Sequence, residues 1–288
     1  MKPIISTENL THVYSMGTPF EHTAIRDVCF EAFAGEYLCV IGHTGSGKST
    51  FIQHLNGLLK PTSGIVRFEG EDIHKSKAFT RDVRFRVGLV FQYPEYQLFE
   101  ETCYKDIAFG PKNMGLAKEE IDRRVHMAAA MANLDEELLE RQPFDLSGGQ
   151  KRRVAIAGVM AMQPSVLILD EPTAGLDPDS RAEVMRNVEN YRRAMNACVI
   201  MVSHSMEDAA RNADRLFVFH DGQLELTGAP AEVFRHSEEL QNMGLTVPLA
   251  AQVAMGLRSR GLQLPDDIYT NEQLVNALMA GKGGDPDA

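Results

Sequence analysis

The stretch IGHTGSGKST, residues 41–50, constrains this chain more than any other segment. From Gly42 to Ser49 it follows the phosphate-binding pattern G-x-x-x-x-G-K-[ST]. The apolar run EYLCVIG before it has the length of a buried strand, and KSTFIQHLNGLL after it has helical spacing. A strand, a glycine loop and a helix in this order predict nucleotide binding, with Lys48 at the outer phosphates and Ser49 as a ligand of Mg²⁺.

A second segment, VLILDEP, fits the same chemistry. Its apolar residues predict a strand that ends at Asp170 and Glu171, and ligands of α/β sheets bind at the carboxyl ends of the strands. Such an acidic pair often lies in a solvated loop, but together with a phosphate loop it indicates a site. We expect Asp170 to hold Mg²⁺ and Glu171 to polarise the water that attacks the γ-phosphate.

The order of the segments predicts an α/β fold. Short, partly alternating runs before Gly42 predict a β-rich entry, and residues 105–162 have helical periodicity. Strand signals then return in SVLILDEP, ACVIMVSHS and RLFVFHDGQLEL, with a helix between them, which is the rhythm of a mostly parallel sheet. We therefore predict one nucleotide-binding domain over residues 1–228, with a helical subdomain at about 95–163.

Residues 229–288 predict a small helical extension. One helix would present Leu249, Val253 and Leu257 as an apolar face that needs a partner surface, either in this chain or in another. Thr270 and Gln273 predict a capping box, and the terminal GKGGDPDA is expected to fray.

Composition excludes several classes of protein. A net charge of −11 disfavours nucleic acid as a partner, although the basic run Lys151–Arg153 keeps a nucleic-acid patch as a weaker alternative. Apolar runs fall short of the length that a membrane span needs, and the first residues lack a secretion signal, so a cytoplasmic location is expected. The four cysteines lack metal-binding spacing and are expected to be buried packing residues.

A third segment, LSGGQKRR, extends the pattern. The phosphate loop, LSGGQ, LILDEP, GLDP and VSHS occur here in an order and spacing that resemble the ATP-binding cassette (ABC) ATPases over about residues 4–228. The resemblance implies a P-loop NTPase fold of the ABC type: a RecA-like, mostly parallel sheet, an antiparallel entry subdomain and a helical insertion. It also implies ATP hydrolysis by a pair of cassettes.

The resemblance assigns further roles. Tyr14 would stack on adenine, unless it is an ordinary sheet aromatic, and Gln92 would contact Mg²⁺ or water and hinge the helical insertion. Ser147, Gly148 and Gly149 would grip the ATP of the partner subunit. Asp177 would communicate across that interface, and His204 would sense the γ-phosphate. The expected catalytic residues are Glu171, His204 and Gln92, and the expected ligands of Mg²⁺ are Ser49, Gln92 and Asp170. The expected nucleotide contacts are Tyr14, Gly42, Thr44, Gly45, Ser46, Gly47, Lys48, Ser49, Thr50, Ser147, Gly148, Gly149, Gln150 and Asp177.

The segment Phe91–Leu116, with its YPEYQLFEET, resembles ATPase subunits of energy-coupling factor (ECF) transporters, and the intact LDEPTAGLDP resembles the second of their two ATPase types. These importers move vitamins or transition-metal ions. The resemblance implies a peripheral position on the cytoplasmic face of the membrane, with CYKD and its neighbours facing a transmembrane coupling protein.

The resemblance further implies a second ATPase, in a heterodimer or a homodimer, and membrane subunits that bind the substrate. The helical extension would help the ATPase pair to stay together. The alternatives are the ATPase of a single-substrate cobalt or nickel importer or of another ABC importer, a soluble ABC ATPase, and a nucleotide-sensing module without turnover.

Overall fold

Ten strands and twelve α-helices are interspersed along residues 2–281, which the computed structural model describes. The strands are β1 (Ile5–Tyr14), β2 (His22–Ala32), β3 (Tyr37–Gly42), β4 (Ser63–Phe68), β5 (Glu71–Asp72), β6 (Val87–Val90), β7 (Val166–Asp170), β8 (Cys198–Val202), β9 (Arg215–His220) and β10 (Gln223–Gly228). The helices are α1 (Lys48–Leu55), α2 (Lys77–Arg86), α3 (Cys103–Asn113), α4 (Lys118–Met131), α5 (Glu136–Leu139), α6 (Gly148–Met160), α7 (Pro178–Met195), α8 (Met206–Asn212), α9 (Pro230–Arg235), α10 (Ser237–Asn242), α11 (Leu249–Arg258) and α12 (Asn271–Gly281). Two short 3₁₀ helices span Pro94–Gln97 and Pro143–Asp145.

The chain forms two compact units. The first contains the residues up to Glu36 together with Ser49–Val202, and the second contains Tyr37–Lys48 together with the residues from Ser203 onward. The first unit holds an antiparallel sheet of order β2-β1-β4-β5 and three parallel strands in the order β6-β7-β8. In the second unit, β9 pairs in parallel with β3 and antiparallel with β10. The predicted α/β class, with parallel strands and an antiparallel entry sheet, is confirmed.

Burial explains why β6, β7 and β8 are nearly pure apolar runs. Every residue of these strands is buried, which is typical of parallel strands covered on both faces. Asp170 ends β7, so a continuous apolar strand delivers a carboxylate to the edge of the sheet.

Helices α3–α6 form the predicted helical insertion in the first unit. On α4 one face is apolar and turned inward: Val125, Ala128 and Ala129 are buried, as is Ala132 just after the helix, while Ile121 is half-buried. No helix among residues 2–281 combines the length and the apolar character that crossing a lipid bilayer requires.

The extension consists of helices α9–α12, and the predicted apolar face of α11 lies mostly at the surface, so its covering by a partner surface stays a prediction. Helix α11 buries Ala250, Ala251 and Ala254, whereas Leu249 and Val253 are 61% and 40% exposed. Small side chains let α11 approach α12 closely, and Ala250 and Ala254 pack there with Ile268 and Leu274. The large side chains on the neighbouring stripe of α11 therefore remain on the surface.

The capping box at the start of α12 is confirmed. The Thr270 amide donates to Gln273 Oε1 at 2.9 Å, and the Gln273 amide donates to Thr270 Oγ1 at 3.3 Å. Fraying was predicted for GKGGDPDA, but residues 282–288 lie outside the described part of the chain. The domain boundary at residue 228 stays a prediction.

Cysteine burial follows the prediction at three positions. Cys39, Cys103 and Cys198 are buried, but Cys29 is exposed. The prediction is wrong for Cys29 because β2 alternates along its length, and Cys29 lies on the solvent side between the buried Val28 and Phe30.

A pair of histidines, the buried His54 and the half-buried His12, links β1 to α1. His54 Nδ1 donates to the Thr50 carbonyl at 2.8 Å, which leaves His54 Nε2 to accept from His12 Nδ1 at 3.2 Å. Desolvation by burial lowers the pKa of His54 to about 4, because the charged form would lose its hydration. His54 is therefore neutral in the folded protein near pH 7.

This shift predicts acid destabilisation. Between about pH 6.5 and pH 4 the unfolded chain binds a proton at His54 and the folded chain does not, so the free energy of unfolding falls as the pH falls through this window. We expect His54→Gln to flatten the dependence of the urea midpoint on pH there, and replacement of the exposed His22 by Gln to leave it unchanged. An equal slope in wild type and His54→Gln would contradict the assignment.

Candidate nucleotide site

The phosphate loop lies between β3 and α1, as predicted. Gly45 and Gly47 have φ angles of 85° and 102°, which residues with a Cβ rarely adopt, so the loop can turn its backbone amides inward. Thr44 and Gly45 are exposed at its tip, whereas Ser46 is buried. The geometry therefore matches a loop that encloses an anion with its backbone.

Lys48 lies within this loop. Its ammonium donates to the carbonyls of Gly42 at 2.6 Å and His43 at 2.8 Å, and the residue is only 6% exposed. Backbone carbonyls thus hold a positive charge at the place where a phosphate would sit. Lys48 is also the first residue of α1, whose amino end favours negative charge.

The two predicted ligands of Mg²⁺ from different segments meet in the first unit. Ser49 Oγ donates to Asp170 Oδ2 at 3.2 Å, although the residues are 121 positions apart. A hydroxyl, a carboxylate and the amide oxygen of Gln92 are hard oxygen donors, which suit Mg²⁺. The donor set therefore fits the implied ion, with water completing its coordination.

Glu171 is held in an unusual backbone conformation. Its φ is 48°, in the left-handed region, and its amide donates to the Val202 carbonyl at 3.0 Å. Gln92 Nε2 donates to Glu171 Oε2 at 2.8 Å across 79 positions of sequence. Backbone strain of this kind clusters at functional sites, and here it aims the carboxylate at the amide of Gln92.

Tyr14 lies at the end of β1, near the first turn of α1. Its hydroxyl is 3.3 Å from Thr50 Oγ1, and the edge of the His12 ring packs against it with centroids 4.5 Å apart. The side chain is 39% exposed, so part of the ring is accessible for stacking.

The residues Ser147–Gln150 open helix α6. Ser147 Oγ accepts from the Gln150 amide at 3.3 Å, and Gln150 Oε1 accepts from the Ser147 amide at 3.0 Å, which makes a capping box. Ser147 and Gly148 are exposed. The amino end of α6 is therefore presented to solvent.

Asp177 caps helix α7 beside that surface. Its carboxylate accepts from the amides of Asp179 and Ser180 at 3.1 and 3.0 Å, and hydrogen bonds from Ser180 lower its pKa. An added Cβ on Gly149 would come within 2.9 Å of Ser180 Oγ. The two segments that the resemblance places at a subunit interface are thus neighbours in the first unit.

His204 lies in the second unit, directly before the cap of α8. The side chain is exposed, and Ser205 caps the helix by accepting from the Asp208 amide at 3.2 Å. The position of His204 after β8 agrees with the motif, while the role of His204 toward a γ-phosphate stays a prediction.

Sequence reasoning missed one central residue of this region. Arg152 is 2% exposed, and its guanidinium bonds both oxygens of Glu95, at 2.9 and 2.5 Å. It also donates to the carbonyls of Pro172 and Ala174 at 3.1 and 2.6 Å. Burial alone would raise the pKa of Glu95, but the hydrogen bonds from Arg152, a backbone hydrogen bond and the charge of Arg152 together outweigh it, and the pKa is lowered.

The basic run Lys151–Arg153 is therefore partly internal. Arg152 is buried, and Arg153 pairs with Glu183 on α7. Only the burial pattern shows that these side chains are internal, because three consecutive basic residues in a sequence are typical of a surface patch.

Comparisons with known proteins agree with the motifs. A family model described as "ABC transporter" matches residues 25–174. An "Energy-coupling factor transporter ATP-binding protein EcfA2" of Caldanaerobacter subterraneus subsp. tengcongensis is 51% identical over 275 residues, covering 96% of each chain. A protein of the same description from Clostridium perfringens is 52% identical over 276 residues, covering 96% of this chain and 97% of its own.

Solved structures give the same result. The structure of cbiO1 from Clostridium perfringens, described as part of the ABC transporter complex cbiONQ, has a TM-score of 0.74 and 38% identity, over 85% of this chain and 95% of its own. The ATP-binding cassette MJ0796, in a dimeric post-hydrolysis state bound to ADP and Pi, has a TM-score of 0.70 and 28% identity, over 78% of this chain and 98% of its own. This chain belongs to the ABC transporter ATPases and, within them, to the ATP-binding proteins of energy-coupling factor transporters.

Proposed function

We propose that this ATPase energises an ECF-type importer from the cytoplasmic face of the membrane. It pairs there with a second cassette beneath a transmembrane coupling protein, and membrane subunits supply the vitamin or transition-metal ion. The observation that carries the proposal is the hydrogen bond between Gln92 and Glu171, at 2.8 Å. It connects the residue assigned to hydrolysis with the segment that leads into the helical insertion.

Nucleotide binding is assigned to the phosphate loop and to Tyr14. The backbone amides of residues 42–48 face the phosphates, and Lys48 exchanges its carbonyl partners for phosphate oxygens. Thr44, Gly45, Ser46, Gly47 and Thr50 complete the loop, and the exposed part of Tyr14 supports a role as the platform for adenine.

Hydrolysis is assigned to Glu171, Gln92 and His204. Ser49 and Asp170, with Gln92, would hold Mg²⁺, which when bound neutralises charge on the phosphates. Glu171 accepts the proton of the attacking water, and the hydrogen bond from Gln92 to Oε2 orients its carboxylate. His204 contacts the γ-phosphate, and this contact couples the presence of the γ-phosphate to the position of α8.

The base assignment predicts the behaviour of Glu171→Gln. The substitution removes the proton acceptor and keeps the shape, so ATP binding persists while turnover falls at least about 100-fold. Phosphate release and binding of a fluorescent ATP analogue measure the two effects. Replacement of the exposed Glu225 by Gln makes the same charge change and is expected to leave turnover unchanged. Near-normal turnover of Glu171→Gln would remove Glu171 from this role.

An apolar groove of about 410 Å³ in the first unit supports the position of the membrane partner. Its lining includes Phe85, Phe99, Phe109 and Met162, and it also includes Val90, two residues before Gln92. Phe99 is 62% exposed and packs edge-on against Phe109, with centroids 5.0 Å apart. If a cytoplasmic helix of the coupling protein fills this groove, any movement of the Gln92 segment would be transmitted to that helix.

This placement predicts the effect of Phe99→Asp. A charge in the groove is expected to cut the recovery of the coupling protein with the tagged chain by about 10-fold or more, with ATP binding retained. Replacement of Phe20 by Asp is the control, because Phe20 is 84% exposed in the β1–β2 turn. Full recovery with Phe99→Asp would place the partner on another surface.

Pairing of the cassettes is assigned to the surface formed by Ser147, Gly148, Gly149 and Asp177, and to the extension. Ser147 and Gly148 at the start of α6 are exposed, as gripping a nucleotide of the partner cassette requires. In the extension, α11 leaves Leu249 and Val253 exposed although it has an inner face of alanines. An apolar surface of this kind suits the second ATPase.

The extension predicts the effect of Leu249→Glu. A charge on the exposed stripe of α11 is expected to weaken pairing with the second ATPase about 10-fold or more, since apolar burial at that contact is lost. Sedimentation of the purified pair measures it, and replacement of Leu58 by Glu in the first unit, at 43% exposure, is the control. Unchanged pairing would assign the extension to another contact.

The complete proposal is tested by affinity purification of the tagged chain from detergent-solubilised membranes of its host. A similar second ATPase, a coupling protein and small membrane subunits are the expected partners. One dedicated permease would indicate a different ABC importer, and only soluble or ribosomal partners would overturn transport.

A further inference from the structure

Three metal-ligating side chains converge in the second unit, at a place that the ATPase function leaves unused. His43 belongs to the phosphate loop, His220 ends β9, and Asp221 lies in the following turn. One ligand atom from each of these residues lies within 4.8 Å of the others. We call His43, His220 and Asp221 the histidine cluster.

The backbone holds the cluster together independently of any ligand. Asp221 and Gly222, with φ angles of 46° and 79°, form the two-residue turn between β9 and β10, and Asp-Gly is a favoured pair for such a turn. The Gly222 amide donates to the Ser46 carbonyl at 3.1 Å, so the turn is bonded to the phosphate loop. The three side chains therefore project from two segments fixed to each other.

The tautomer of His43 suits a metal ligand. Its Nδ1 is 2.9 Å from the Thr44 carbonyl, and because a carbonyl can only accept, Nδ1 carries the hydrogen. In the neutral ring, Nε2 then presents a lone pair. This atom is shielded from solvent, lacks a hydrogen-bond partner and lies 3.6 Å from Asp221 Oδ1. Metal-bound histidines commonly donate their second ring N–H to a carbonyl in this way.

His220 adds the third ligand. Its Nε2 is 3.6 Å from Asp221 Oδ2, and its ring packs edge-on against that of His43 with centroids 5.2 Å apart. Ligand atoms around a tetrahedral ion with bonds of about 2.0–2.1 Å are roughly 3.3 Å apart. The two observed separations to Asp221, both 3.6 Å, are close to that value, and the exposed Asp221 leaves room for water.

We propose that the histidine cluster binds a divalent transition-metal ion of the Zn²⁺ class. Two imidazoles and a carboxylate favour such ions, whereas Mg²⁺ prefers an all-oxygen shell. Three protein ligands with one position left for water make an open site. This ion is separate from the Mg²⁺ that Ser49 and Asp170 would hold.

A different explanation of the same geometry is an ion pair between a protonated His43 and Asp221. An ion pair would satisfy the shielded nitrogen without any metal, so metal uptake distinguishes the two explanations.

The test uses the full chain, free of nucleotide, stripped by chelator and kept in excess Mg²⁺ to occupy oxygen sites. Co²⁺ is titrated in, and its visible absorption reports ligand number and geometry. We expect one equivalent to bind with micromolar affinity, with a spectrum of four- or five-coordinate Co²⁺, and Zn²⁺ to displace it.

Two variants and a control assign the site. His220→Gln and Asp221→Asn should each weaken binding of Co²⁺ by about 10-fold or more, since each removes a ligand. His236→Gln removes an exposed histidine beside Glu239, in the same unit, and should bind as the wild type does. Thermal unfolding of the metal-free variants verifies their fold, and Asp221→Asn keeps the test valid if His220→Gln is unstable.

Two results would overturn the proposal. One is a wild-type chain with no saturable binding of Co²⁺ in the micromolar range, which leaves the ion pair as the explanation. The other is wild-type affinity in the folded variants, which places the ion elsewhere.

Discussion

The buried guanidinium of Arg152 is the constraint on which the geometry around Glu171 depends. A charge without solvent must be compensated where it lies, and loss of one partner of such a buried pair costs about 3–5 kcal/mol. Its compensation comes from Glu95, three residues after Gln92, and from carbonyls just after Glu171. One side chain on the helix that LSGGQ opens therefore fixes both segments whose side chains meet in the Gln92–Glu171 bond.

Local patterns predicted where the structure places the phosphate loop and Asp170. The phosphate loop is recognisable from only ten residues. The apolar strand that ends at Asp170 determines that the Asp170 carboxylate lies at the edge of the sheet. Arg152 could not be found this way, because Glu95 is 57 positions away and no period connects them. In sequence the residue is one of three consecutive basic side chains, and such a run is usually a solvated surface. Its burial is a property of the packed fold.

Helix α11 shows the limit of periodicity more directly. Its sequence carries two adjacent apolar stripes, the large residues Leu249, Val253 and Leu257 and the small residues Ala250, Ala251 and Ala254. Periodicity identifies both, but only packing against α12 decides which one faces inward. Close approach favours alanines, so the larger side chains are left outside, where a second chain can cover them. The spacing thus predicted the apolar face of α11 but not whether this chain or a second chain covers it.

His43 of the phosphate loop makes contacts within the second unit through both its backbone and its side chain. The His43 carbonyl accepts from Lys48, while the His43 side chain faces His220 and Asp221. The β9–β10 turn is in turn bonded to Ser46 in the middle of the loop. One residue therefore offers its carbonyl to the Lys48 ammonium and its ring to the histidine cluster. If a metal ion in the cluster changes the affinity for nucleotide, nucleotide changes the affinity for the metal ion by the same factor, because coupling between sites is reciprocal.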